Sequence, residues 1–365
     1  MRILHYNPYS DSMVNQYLNM LCESMGLECI NEIVTEPADV LKRLHSIHYD
    51  ILHLYGCWHN SSYKIVSLAF KHNTRLVISP YGQLEPWVVE NHYWKEKLPK
   101  RLLYQQRIVE KAYAVIVHGK MEEDFIKKQG WNKRVIVVKN ALITQSITKE
   151  EMTRQVLQVY RKVMSSNQWE LMDAEMRDEL CQIIKLGITG DERWLEGERP
   201  DVPDTLEKWR ITLCYAHQEQ IEDTMLKAFS ILNFNVPDIN VQQVDYFIPD
   251  GYVTPHSIES VIGVSFASEN DRLLATFRHL RKLVTRHQLS IMHLIELDEE
   301  LRNHSYEEAA LCEELKDLRL YKFVARIMGV MEQKTGLTEG MMPMPPLNDR
   351  FTRQINKQIE NHLKI

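Results

Sequence analysis

Over roughly the first 145 residues, apolar positions fall in short continuous runs rather than in alternation. The runs are RILHYN (2–7), DILHLYG (50–56), RLVISP (75–80), YAVIVHG (113–119) and RVIVVKN (134–140), with ECINEIV (28–34) as a further extended candidate. Between them lie segments with helical spacing: VNQYLNMLCESMG (14–26), the stretch from Pro37 to His48, and EEDFIKKQG (122–130). The first and last of these close on Gly, as helix C-termini often do. Short apolar strands separated by amphipathic helices predict parallel strands covered on both faces, an α/β, Rossmann-like open sheet. In such sheets ligands gather outside the carboxyl ends of the strands. The polar residues at those ends are therefore the candidate site.

The rhythm changes near Thr144. ITKEEMTRQVLQVYRKVM (147–164) reads as a helix with a Thr148 cap and a Glu151 capping box. Further helices are predicted at about 173–186, 204–218, 221–232, 270–287, 290–302, 306–333 and 349–363. Only 239–248 and 252–267 look extended, and 190–204 and 338–349 carry the Gly, Pro and Asp of loops. The expected organisation is a Rossmann-like domain over 1–145 and a mainly helical domain of unknown role over 146–365. A second parallel sheet is not expected.

Composition narrows the function classes. At 365 residues, with 44% apolar and 26% charged residues, the chain has the make-up of a soluble globular protein. A net charge of −6 argues against a general nucleic-acid binder. No stretch reaches the length of apolar sequence that spans a bilayer, and MRILHYNPYS lacks a signal-peptide core, so a cytoplasmic location is expected. Six scattered Cys residues form no C-x-x-C pair and read as reduced core residues. There is no P-loop, no G-x-S-x-G and no H-E-x-x-H, and neither a metal site nor a cofactor is expected.

Three strand ends carry the chemistry. The run at 50–56 leads into Gly56-Cys57-Trp58-His59-Asn60, and the run at 75–80 into Ser79-Pro80-Tyr81-Gly82-Gln83-Leu84-Glu85-Pro86-Trp87. The run at 134–140 ends at Lys139-Asn140-Ala141. Gly56 and Gly82 allow backbone to approach a bulky ligand. Trp58 and Trp87 offer flat faces for pyranose rings, while His59, Ser79, Tyr81 and Glu85 can hydrogen-bond hydroxyls. The competing reading makes both Trp residues core plugs and SPYG a simple turn.

These strand ends resemble the N-terminal, acceptor-side domain of family-4-like GT-B glycosyltransferases of bacterial surface-polysaccharide clusters, over about residues 1 to 145. The resemblance implies half of a GT-B fold. It also implies transfer of a sugar from a nucleotide-sugar donor to a glycan or lipid-linked acceptor in capsular or other surface polysaccharide synthesis. It places Gly56, Trp58, His59, Ser79, Tyr81, Gly82, Glu85 and Trp87 at the acceptor.

The segment 92–111 follows, with six cations (Lys95, Lys97, Lys100, Arg101, Arg107, Lys111) against Glu96 and Glu110, and Tyr93, Trp94 and Tyr104 interleaved. Basic residues with interfacial aromatics suit an anionic membrane surface or a lipid-linked diphosphate. Lys95, Lys97, Lys100 and Arg101 are the expected contacts. The alternative is a solvated helix face.

Several features depart from the family pattern. Where a Gly-Gly loop is usual after the first strand, this chain has Pro8-Tyr9-Ser10-Asp11-Ser12. Tyr81 stands in place of the usual His, and Asn140-Ala141 in place of Asn-Gly. The C-terminal half lacks the basic donor-binding element, and Glu299 and Glu307, which match the family's acidic spacing, lie in an acid-rich helical stretch. Arg278, Lys282 and Arg286 share a helix face and could meet a phosphate or only solvent. No catalytic residue is assigned. Three readings follow: a transferase with a divergent donor site, a non-catalytic glycan-binding or scaffold relative paired with an active glycosyltransferase, and a helical interaction or regulatory module.

Overall fold

The computed structural model describes residues 1–9, 12–195, 199–303 and 306–365. Six strands form one open, all-parallel sheet: β1 (Arg2–Tyr6), β2 (Ile30–Val34), β3 (Ile51–Tyr55), β4 (Arg75–Ser79), β5 (Ala114–Val117) and β6 (Val135–Val137). Their order is β2-β1-β3-β4-β5-β6. The chain passes from β1 to one side and returns to the other, so the direction of winding reverses between β1 and β3. That reversal opens a crevice at the carboxyl ends of these two strands, where ligands of such sheets bind.

Both faces of the sheet are covered, which is why the strands read as unbroken apolar runs. One face carries Leu4, Tyr6, Leu52, Leu54, Leu76, Ile78, Val115 and Val117. Val40, Leu44, Ile65, Val66, Ala69, Ile108, Val109 and Ile126, from the intervening helices, close over it. Truncating one such residue, Leu54→Ala for example, would cost about 2–5 kcal/mol.

The opposite face carries Ile3, His5, Ile51, His53, Tyr55, Val77, Ser79 and Ile116, all buried. The helices Ser12–Met25 and Lys149–Ser165 reach this face through Tyr17 and Tyr160. This compact unit comprises Met1–Ser165 and Asp245–Phe247. It continues past residue 145 because the next helix buries Met152, Val156, Tyr160 and Val163. Lys162 binds Asp245 at 2.8 Å and lies over the ring of Phe247.

The second unit, Ser166–Val244 and Ile248–Ile365, is helical throughout its regular structure among the described residues. Several of its helices start where a side chain satisfies one of the first backbone N–H groups. Asp173 accepts from the Met176 N–H and Thr205 from that of Lys208, and Asp349 and Thr352 form a reciprocal capping box.

Two expectations for the chain after residue 165 are corrected. The stretches 239–248 and 252–267 are not strands; they hold a short turn of helix at Val241–Gln243 and the helix Ile258–Ile262. Pro249 and Gly251 separate the two stretches, Pro255 interrupts the second, and Gly263 ends its helix. The stretch 306–333 is two helices, Glu308–Asp317 and Tyr321–Lys334, broken where Arg319 adopts left-handed backbone at φ 55°.

Candidate functional site

At the β1/β3 crevice the chain supplies its own occupant. Tyr9 lies across Gly56, so a Cβ built on Gly56 would stand 2.3 Å from the Tyr9 ring. The Tyr9 hydroxyl donates to the Cys57 carbonyl, lies 3.2 Å from Gln83 Oε1, and the ring meets His59 edge-on at 5.7 Å. Burial pushes the Tyr9 hydroxyl up to about 12, so it remains a neutral donor. A phosphate loop would need open space and free N–H groups here. The Tyr9 ring occupies that space, and Ser10 and Asp11 of the same loop lie outside the described residues.

Trp58 follows with φ 67°, unusual for so large a residue. Three hydrogen bonds hold it: its N–H donates to Gln105 Oε1 at 2.7 Å, its indole N–H to the Gln83 carbonyl at 3.1 Å, and its carbonyl accepts from the Tyr104 hydroxyl at 2.9 Å. It is 9% exposed and joins the core. Trp58 therefore braces the strand end and offers no open face.

The SPYGQLEPW turn is fastened from below. Glu122, near the start of the helix Lys120–Lys128, accepts the N–H of Leu84 at 2.9 Å and of Gly82 at 3.2 Å. Burial raises its carboxyl from 4.5 to about 7, against the pull of those two N–H groups. Gln83 turns inward, accepting the Cys57 N–H at 2.7 Å. Tyr81 is a second aromatic residue in left-handed backbone, φ 59°. Its ring stands edge-on to His118 at 4.6 Å, and its hydroxyl accepts from Asn140 at 2.8 Å. Strained backbone at the ends of two adjacent strands, over-determined by hydrogen bonds, is a common mark of functional sites.

What the turn presents outward is Trp87. Its indole N–H donates to Glu85 Oε2 at 2.6 Å, and the residue is 65% exposed. One polar atom is thus fixed while the apolar faces remain open. His59, half-buried, holds Ser61 Oγ at 2.9 Å through Nδ1; burial and then Lys100 lower its pKa, so it is neutral at neutral pH.

Ser79 lies elsewhere. It is buried on the sheet face and bonded to His53 Nε2 at 2.8 Å. His53 Nδ1 meets the hydroxyls of Tyr160 at 2.5 Å and Tyr55 at 2.9 Å. His5 Nδ1 meets Tyr55 at 3.1 Å, and its Nε2 meets Asn31 at 3.0 Å. Burial holds His53 well below its ordinary pKa and lowers His5 to about 4. These neutral imidazoles join four strands and a helix beneath the site. Sequence reading missed this network, along with Tyr9, Gln83, Gln105, His118 and Glu122; a His at the same position in two neighbouring strands was the available signal.

The segment after Trp87 is helical from Tyr93 to Lys111, with wide π-type turns at Tyr93–Lys97 and Arg101–Gln105. Such turns are rare and frequent at functional sites. Lys95 is exposed; Lys97 and Lys100 are half-buried. Arg101 turns back, donating to the Tyr93 hydroxyl at 2.9 Å and lying over the Trp131 ring. Trp94 (79% exposed), Leu102 and Leu103 project outward.

Among the described residues no cluster of His, Cys, Asp and Glu could hold a metal ion, and no helix is long and apolar enough to cross a membrane. Burial raises the thiols of Cys22, Cys57 and Cys214, so none is a ready nucleophile. No family model, curated protein or solved structure matches the chain.

Proposed function

We propose that this protein is glycosyltransferase-like and that its first unit recognises a glycan or lipid-linked glycan at the carboxyl edge of the sheet. The observation that carries this reading is Trp87: an exposed indole, fixed through its N–H by Glu85, on a turn anchored by Glu122. A rigid aromatic face loses little entropy on binding and suits the apolar face of a pyranose. Tyr81, Gly82 and Glu85 of the same turn, and His59 after the neighbouring strand β3, supply polar atoms and backbone. Trp58 and Ser79, being buried, act as support. The exposed Trp94, Leu102 and Leu103, with Lys95, would meet an anionic membrane carrying the acceptor.

In the transferase reading, a nucleotide sugar donates its glycosyl group to this acceptor. A second reading, glycan binding without transfer beside an active partner glycosyltransferase, is favoured by the helical second unit and by Tyr81. A phenol titrating near 10 is a poor acid or base at neutral pH.

Saturation-transfer NMR with surface-polysaccharide fragments, run beside an assay for nucleoside diphosphate release from nucleotide sugars, tests both. Glycan contact with release supports transfer. Contact without release supports binding alone. Neither signal would remove the carbohydrate reading.

A further inference from the structure

The helix Glu269–Arg286 of the second unit carries a feature that no part of the carbohydrate reading uses. Arg278, Arg281, Lys282, Thr285 and Arg286 recur at i, i+3, i+4, i+7 and i+8, one continuous face. Leu273, Phe277 and Leu280 of the same helix are buried. The cationic face lines a cavity of about 420 Å³, completed by Leu318 and Leu320 at the break between the next helices. That volume falls in the range of small-molecule sites.

Four cations line this cavity and no carboxylate does. None of the four forms an ion pair among the described residues, whereas Arg272, two turns earlier on the same helix, pairs with Glu300 at 3.0 Å. Like charges three and four residues apart repel and weaken a helix. Lys282 and Arg286 also help burial to lower the pKa of His279. The partial negative charge at the helix C-terminus, about half an elementary charge, offsets only a small part of this excess. In a chain of net charge −6, such a concentration has a natural complement in an anion of several charges.

We propose that this cavity binds a ligand with two adjacent phosphates, a diphosphate, held by the guanidinium forks of Arg278, Arg281 and Arg286 and the ammonium of Lys282. Guanidinium matches phosphate oxygens in a planar two-bond geometry, and three of the four cations are Arg. The Thr285 hydroxyl lies on the same face and donates to the Arg281 carbonyl at 2.8 Å. Leu318, 38% exposed, gives one apolar wall against which the carbon portion of the ligand can lie. A soluble diphosphate and the headgroup of a lipid diphosphate share this chemistry.

The test uses the full chain at low salt. Inorganic pyrophosphate is titrated calorimetrically, and phosphatidylcholine vesicles carrying a polyisoprenyl diphosphate are sedimented with the protein, with phosphatidylglycerol vesicles as the comparison. Pyrophosphate binding supports a soluble ligand; binding only to the diphosphate vesicles supports a lipid one. In either case Arg278→Gln and Arg286→Gln should each weaken binding by about tenfold. Raising NaCl from about 50 to about 300 mM should weaken it further. Both substitutions are on an exposed helix face, and an unchanged unfolding midpoint checks that the unit stays folded. The proposal is overturned if neither form binds, if the variants bind as wild type does, or if a Leu102→Asp, Leu103→Asp protein, whose separate exposed apolar contact is removed, binds phosphatidylglycerol vesicles as well as diphosphate vesicles.

Discussion

Tyr9 and Gly56 occupy one space: with Gly56 at φ 75°, its missing Cβ leaves room for the Tyr9 ring to lie against the backbone at the end of β3. Ala at position 56 would meet both a left-handed backbone and that ring. Gly56→Ala should therefore destabilise the protein by about 2–4 kcal/mol. The cost should shrink in a Tyr9→Ala background, measured by denaturant unfolding of the single and double variants. Equal costs in both backgrounds would show that the ring and the glycine are not coupled.

Glu122 connects the SPYGQLEPW turn to the helix after β5, and its carboxyl is raised from 4.5 to about 7 mainly by burial. Because the folded value lies above the unfolded one, the folded protein keeps this proton where the unfolded chain has lost it. The associated stability is complete below about pH 4.5 and is lost as pH rises to about 7, a change of about 3 kcal/mol. Carbon-13 NMR of the Glu122 carboxyl should give a midpoint near 7. A midpoint below 5 would mean that the Gly82 and Leu84 N–H groups outweigh burial.

His5 behaves in the opposite sense. Its pKa falls from 6.5 to about 4 through burial, with the Asn31 hydrogen bond pulling upward. As pH drops the unfolded chain takes up the proton first, so stability present above about pH 6.5 is lost progressively, about 3 kcal/mol by pH 4. The stability difference between wild type and His5→Gln should narrow over that interval in denaturant unfolding. A difference independent of pH would contradict a neutral, buried His5.

The outline of the sheet was legible because strands buried on both faces leave continuous apolar runs. His5 and His53 were hidden inside those runs, since a buried polar pair is revealed only when the strands are placed side by side. Glu122 looked like an ordinary acid in the first turn of a helix, where the dipole favours it. Its real partners are backbone N–H groups of a turn some forty residues earlier. Trp58 and Trp87 each follow a strand and look equivalent in sequence; only packing sends one into the core and the other outward. In the second unit, apolar spacing continues through Leu315, Leu318 and Leu320, so the helix break at Arg319 left no gap in the pattern.

Trp94, Leu102 and Leu103 are exposed beside Lys95 on the wide-turned helical segment. Anionic vesicles should sediment with the protein at low salt and much less at high salt. Leu102→Asp with Leu103→Asp should abolish the association by placing charge at the apolar contact. Vesicle binding that is insensitive to both changes would assign this segment to solvent.

Calorimetric titration of a surface-polysaccharide fragment into wild type and Trp87→Ala checks the proposed role of Trp87 as a sugar platform. Loss of one well-packed aromatic face should weaken binding by about 1–2 kcal/mol, roughly five- to thirtyfold. The unfolding midpoint should barely move, because the side chain is 65% exposed. Equal affinity in the two proteins, or no binding by wild type across the fragments tried, would rule out a sugar platform at Trp87.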